Sequence, residues 1–144
     1  MFREIRGVQQ RDPAGRRRWF QDPFFDLFVT QSVLGRTEWF QLCYLRDTRR
    51  ERVLEWKRGR GFLHMKVAQP SFAADRGSGG LMLDGMMPVE DVLQAFAASA
   101  ATLPREIAAF VDRKVREYER PALRFRRPGV ATPRWLERLR RRTL

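Results

Sequence analysis

Thr37-Glu38-Trp39-Phe40-Gln41-Leu42-Cys43-Tyr44, then Asp47-Thr48-Arg49, then Arg52-Val53-Leu54-Glu55-Trp56-Lys57 and Gly59-Arg60 decide the architecture. Apolar and polar residues alternate along each run, which is the period of a strand with one buried face. The interruptions are too short for a crossover helix, so neighbouring runs form antiparallel hairpins. The same texture extends back to Phe24–Gln31 and forward to Phe62–Val67, with Trp19-Phe20 as a short strand ahead of them.

Register follows from the pairing that keeps apolar residues together. A turn at Leu34-Gly35 pairs Phe25 with Tyr44, Leu27 with Leu42 and Val29 with Phe40. A turn near Thr48 pairs Leu42 with Leu54 and Phe40 with Trp56. A two-residue turn at Gly59-Arg60 then pairs Leu54 with Met65 and Trp56 with Leu63. One face becomes almost wholly apolar and must be covered. The other face carries Phe28, Gln41, Glu55 and His64 in one row, with Thr30, Trp39, Lys57 and Phe62 beside it. Asp26, Cys43, Val53 and Lys66 form the row on its other side.

After a loop at 68–80 and a brief extended piece at Leu81–Leu83, the period changes. Pro88 suits a first helical position, and Glu90 and Asp91 suit the positive end of the helix dipole. Val89, Val92, Leu93, Phe96, Ala100 and Leu103 recur on one helical face. Pro104 separates them from a second stripe, Ile107, Phe110, Val111, Val115 and Tyr118. Ala95, Ala97, Ala98 and Ala101 suggest a small-residue seam between the two helices. The expected fold is therefore α+β: a four- to five-stranded antiparallel β-meander packed on one face by a C-terminal αα-hairpin. Residues 1–15 read as an irregular basic N-terminal arm and 16–120 as the single domain. Residues 121–144 read as a basic extension, with a short helix from Thr132-Pro133 through Arg142.

The net charge of +12 over 144 residues is uneven. Residues 1–20 hold six arginines against Glu4 and Asp12, a net of +4. Residues 121–144 hold eight against Glu137, a net of +7. The body between them carries +1. Basic ends on a near-neutral body suit an anionic partner, nucleic acid or an acidic protein. The contacts would fall to Arg16, Arg17, Arg18, Arg124, Arg126, Arg127, Arg138, Arg140, Arg141 and Arg142. The competing explanation is coding bias, since 26 of the 29 basic residues are arginine.

Other function classes lack their residues. One cysteine, Cys43, permits no internal disulfide, and one histidine, His64, leaves no His/Cys zinc set. Gly77-Ser78-Gly79-Gly80 lacks the Gly-Lys-Ser/Thr of a phosphate loop, and no Gly-x-Ser-x-Gly elbow occurs. No apolar run reaches the roughly 18 residues of a membrane span, and the arginine-studded start is unlike a signal peptide. A cytoplasmic protein with no cofactor, no metal site and no catalytic residue is expected. The primary expectation is non-enzymatic binding through the open sheet face, at Phe28, Trp39, Gln41, Glu55, Phe62 and His64. That face could also pair with a second copy of the chain. Nucleic-acid binding through the arginine-rich arms and the sheet aromatics is the alternative. A small enzyme built on Glu55 beside His64 is a further one.

Two stretches resemble known patterns. Arg58-Gly59-Arg60-Gly61-Phe62-Leu63-His64-Met65 shares Arg58, Gly59, Gly61 and Phe62 with the RNA-recognition-motif signature. It departs where that signature needs aromatics, at Arg60 and Met65, and the order of elements departs too; the glycines read as hairpin residues. Arg17-Arg18-Trp19-Phe20-x-Asp22, Asp26-Leu27, Trp39–Tyr44 and Leu54-x-Trp56 together resemble short bacterial proteins. The likeness covers residues 16–115 and implies no activity, cofactor or catalytic residue.

Overall fold

Asp22 opens the first tight hairpin. Its buried carboxylate accepts the backbone N–H of Phe24 at 2.7 Å and of Phe25 at 2.6 Å, and Pro23 presets the backbone between them. Hairpins of this kind recur along the chain. The computed structural model describes residues 1–10, 13, 15–67, 81–83 and 87–118. Among them seven strands form one antiparallel sheet in chain order: β1 (Arg3–Ile5), β2 (Gly15–Gln21), β3 (Phe25–Ser32), β4 (Thr37–Tyr44), β5 (Arg52–Lys57), β6 (Gly61–Val67) and β7 (Leu81–Leu83). Helices α1 (Val89–Ser99) and α2 (Arg105–Tyr118) follow, joined by a 3-10 turn at Ala100–Thr102. The fold is α+β, with more strands than the four or five expected.

The β3–β4 and β4–β5 registers are those that the apolar pattern demands. Phe25 faces Tyr44, Leu27 faces Leu42, Val29 faces Phe40, and Leu42 and Phe40 face Leu54 and Trp56. Phe25, Leu27, Val29, Phe40, Leu42 and Leu54 are fully excluded from water. The helix pair lies over them. Val89, Val92, Leu93 and Phe96 of α1 and Ile107, Val111 and Val115 of α2 are buried against the sheet, each apolar side chain adding about 1.5–3 kcal/mol. Leu103 is extended (φ −72°, ψ 150°), as a residue before proline must be, and so turns the chain between helices. The alanine seam is smaller than expected. Ala97, Ala98 and Ala101 lie outside the packed core, whereas Ala95 packs on it together with Ala100 and Ala108.

Two expectations fail. The first concerns residues 1–15. Phe2 is buried against Phe25 and Phe96, with ring centroids 5.7 and 5.8 Å away, and its N–H donates to Ser99 O at 3.2 Å. Arg3–Ile5 then pairs with Trp19–Gln21. The start of the sequence is thus part of the sheet and core.

The second concerns the β5–β6 hairpin. Its loop has three residues, Arg58–Arg60, and both Gly59 (φ +76°) and Gly61 (φ +83°) take the left-handed backbone that glycine alone adopts freely. The extra residue shifts the register by one. Leu54 pairs with His64, Trp56 with Phe62, Glu55 with Leu63 and Val53 with Met65. Phe62 and His64 therefore lie on the helix-covered face, and Leu63 and Met65 on the other. His64 is buried, with Nε2 2.7 Å from the Tyr44 hydroxyl and its ring beside those of Tyr44 and Tyr118. A hydrogen bond offsets the cost of placing imidazole in the interior. Leu63 and Met65 gain a second apolar cluster with Cys43, Val53 and Phe28.

Candidate ligand-binding cleft

The corrected register sets the rows of the second face. Gln21, Asp26, Cys43, Val53 and Met65 form one row, and Trp19, Phe28, Gln41, Glu55 and Leu63 form the next. Arg17, Thr30, Trp39 and Lys57 form the third. The first two rows are internally engaged. The Trp19 ring stacks on Phe28 at 5.4 Å, and its indole N–H donates to Asp26 Oδ1 at 2.8 Å. Gln21 Nε2 donates to the same oxygen at 3.0 Å. Cys43 is buried, and burial pushes its thiol up to about 12, with the charges of Asp26 and Glu51 acting in the same direction. Such a thiol is inert at neutral pH.

The third row lines a cleft. Its volume is about 390 Å³, within the range of small-molecule sites, and Gln10, Gly15 and Glu38 complete its walls. Gln10 is a strap: its side-chain amide imitates a strand peptide, donating to Arg17 O at 2.9 Å and accepting the Arg17 N–H at 2.7 Å. It also donates to Val8 O at 3.1 Å, which fixes residues 8–10 along β2. Trp39 is half-buried on the cleft floor, and the Arg17 guanidinium lies 5.9 Å from its ring centroid. Lys57 is exposed on the opposite flank.

The acids around Trp39 are already committed. Glu38 meets Arg36 at 2.8 Å and Arg58 at 3.0 Å, and the Arg36 hydrogen bond foremost holds its carboxyl below the usual range. Burial pushes the Glu55 carboxyl upward, against the opposing pull of the Trp39 indole N–H and of the Lys57 and Arg60 charges. A raised folded-state pKa means that the native state holds the proton more tightly than the unfolded chain. The Glu55 contribution to stability is then fully present below the unfolded pKa and is lost as pH rises through the folded one. Urea melts across that window should show Glu55→Gln gaining on wild type as pH rises. A constant difference between the two proteins would mean that Glu55 is not desolvated.

The sequence-predicted residues separate accordingly. Trp39 is in the cleft, Glu55 lies in the adjoining row opposite Gln41, Gln41 lies beside Cys43 (Nε2 to Sγ 3.8 Å), and Phe28 is stacked under Trp19. Phe62 and His64 are on the opposite face, because the longer β5–β6 turn moved them there. Glu55 and His64 are therefore not neighbours, and the acid–base pair on which the enzyme alternative stood does not exist. Arg17 flanks Trp39. Arg18 forms a two-pronged pair with Glu4 at 2.8 and 2.9 Å, while Arg16 extends from the outer part of β2. Arg124, Arg126, Arg127, Arg138, Arg140, Arg141 and Arg142 lie outside the described residues, as does the short helix expected there. Sequence reasoning does not reach Arg17 and Gln10 as partners of Trp39, since the arginine run hides the length of β2.

Among the described residues no three His, Cys, Asp or Glu side chains gather as a metal site, and no helix is long and apolar enough to cross a membrane. No protein-family model matches the chain, and no curated protein or solved structure is significantly similar to it.

Proposed function

We propose that this chain is a non-enzymatic binding domain whose site is the cleft over Trp39, and that it takes ligands combining a flat ring with negative charge. The observation that carries this reading is the row Arg17–Thr30–Trp39–Lys57, an indole with a cation on each side inside a concave wall. The indole offers a stacking surface, the cations offer charge-assisted contacts to phosphate or carboxylate, and Thr30 offers a hydroxyl. The neighbouring acids do not cancel this, since Glu38 is held by two arginines and Glu55 is drawn toward its neutral form by burial. A homodimer through the same face is disfavoured. Cys43, Val53, Leu63 and Met65 are already buried within one chain, which leaves little apolar surface on that side to share.

Adenosine monophosphate is a suitable probe, followed through the indole N–H signals in NMR spectra. The Trp39 signal should move on titration while that of Trp56, buried under the helices, stays in place. Trp39→Leu should weaken binding by about 5- to 100-fold, the worth of one stacked ring. A Trp39 signal unmoved at millimolar nucleotide would refute the site.

A further inference from the structure

We infer that the tip of the β3–β4 hairpin, Val33-Leu34, docks on an anionic membrane surface, entering the lipid while the cations around it meet the headgroups. The inference is independent of the Trp39 cleft and does not need it.

The first observation is apolar exposure at a place where the fold does not call for it. Val33 is 79% and Leu34 93% exposed, and with Met1 they are the large hydrophobic residues that the described part of the chain leaves in water. Neither belongs to either apolar cluster. The turn that carries them is closed without their help. Gly35 N–H donates to Ser32 O at 2.9 Å, Ser32 N–H donates to Arg36 O at 2.8 Å, and Gly35 takes the left-handed backbone (φ +81°). Ser32 and Gly35 are what such a turn asks for at its two ends. Its central positions favour Pro, Asn, Asp and Ser, which preset the bend or bond back to the chain, and Val and Leu do neither. Adjacent aliphatics that break the local rule and miss the core mark a contact with something apolar.

The second observation is the charge around the tip. β2 begins at Gly15, opposite Ser32, and β4 begins at Thr37; β5 ends at Lys57 and β6 begins at Gly61, so these strand ends share one side of the sheet. Across residues 15–16, 32–38 and 57–61 stand Arg16, Arg36, Lys57, Arg58 and Arg60 against one acid, Glu38. Glu38 is held by Arg36 and Arg58. Arg16 on one flank of the tip, and Lys57 and Arg60 on the other, form no ion pair among the described residues. The turns at the opposite end, 22–24 and 45–51, hold three residues of each sign. The excess of cations is therefore local to the apolar tip.

Shape selects lipid over a protein partner. Thr37 lies two residues past Trp39, the partner of Lys57, so the tip stands at least about 7 Å beyond the end of β5. A bilayer accepts a projecting apolar point without a matching pocket. A stable protein interface takes about 800 Å² from each partner, far more than two side chains supply. Long cationic side chains beside the tip can lie along phosphates while the aliphatics reach the acyl boundary. The unpaired cations make anionic lipid the preferred surface.

The test floats the full chain with vesicles of equal parts phosphatidylcholine and phosphatidylglycerol. Wild type should float with these and far less with phosphatidylcholine alone. Val33→Ser with Leu34→Asn should weaken vesicle affinity at least about tenfold, since two aliphatic side chains no longer leave water. Its urea stability should equal or exceed wild type, because Ser and Asn suit the turn. Arg16→Gln with Arg60→Gln should weaken affinity about 25-fold, about fivefold for each cation. Cys43 is buried, so Leu34→Cys supplies an accessible thiol for a nitroxide label. On vesicles that label should become shielded from an aqueous relaxing agent, whereas one at Arg49→Cys, exposed at the opposite end, should not.

Flotation unchanged by the tip substitutions would assign the binding to other cations, such as those of residues 121–144, and overturn the proposal. A Leu34 label that stays in water on bound protein would do the same. Equal binding to neutral vesicles would remove the role of the cations, and lost urea stability in the tip variant would make Val33 and Leu34 structural. Wild type that does not float refutes the membrane; if the tip substitutions then dissolve a dimer in sedimentation, the partner is a second copy of this chain.

Discussion

Leu42→Asp leaves the protein unfolded at neutral pH. Leu42 is fully buried at the centre of the sheet, with Leu27 and Leu54 opposite it on the neighbouring strands and both also excluded from water. A carboxylate there has no cation within the apolar cluster to pair with, so the charge would be buried unpaired. Losses from such a change exceed about 4 kcal/mol, a large part of the roughly 5–15 kcal/mol that holds a domain together. Gln41→Ala, one residue away and on the other face, removes a half-buried amide with only a long contact to Cys43 and should cost less than about 1 kcal/mol. Circular dichroism with urea melts compares the two directly. Equal tolerance of both would mean that the helices do not cover the Leu42 face.

Phe2→Ala should cost about 3 kcal/mol, although positions this near the start of a sequence are ordinarily forgiving. The Phe2 ring touches Phe25 and Phe96, which meet each other at 6.0 Å, so three aromatic rings from three distant parts of the chain close around one point. Its backbone is held on both sides, since the N–H donates to Ser99 O and the carbonyl accepts the Thr102 hydroxyl. Truncation leaves a cavity among rings that cannot easily collapse. A double-mutant cycle with Phe96→Ala should give a coupling of about 0.5–3 kcal/mol, as contacting residues do. Additive effects, or a loss below about 1 kcal/mol, would show that residues 2–5 are not integral to the core.

The parts of this fold that could be read from the sequence share one property: only one register keeps the apolar residues on one face. Phe25, Leu27 and Val29 against Phe40, Leu42 and Tyr44, and these against Leu54 and Trp56, admit no other pairing without burying Glu55 under the helices. The β5–β6 hairpin differs because both of its alternating sets are acceptable. Leu63 and Met65 are the more apolar pair, yet they occupy the second cluster with Cys43 and Val53, and Phe62 and His64 take the helix side. The sorting rule assumes a single apolar face, and here there are two. Polar disguise hid β1 and most of β2. Arg18 looks like a solvated charge until Glu4, fourteen residues earlier, is seen to pair with it across the strands. The candidate site was legible to the same extent. Thr30, Trp39 and Lys57 fall in one row from the β3–β4 and β4–β5 pairings, whereas Arg17 joins them through β2 and Gln10 through side-chain hydrogen bonds that no periodicity encodes.

Strand order that follows chain order has a consequence for synthesis on the ribosome. Each hairpin can zip as soon as its second strand is made, because no strand waits for a partner far along the chain. The apolar face has no such neighbour. Its cover begins at Val89, roughly thirty residues after Trp56, an interval on the order of seconds at ordinary elongation rates. During that interval Phe25, Leu27, Phe40 and Leu42 face water on a nascent sheet, and Phe2, made before any of them, has no Phe96 to dock against. The nascent chain is therefore most exposed to aggregation, and most in need of a chaperone, between the completion of β5 and the emergence of α2.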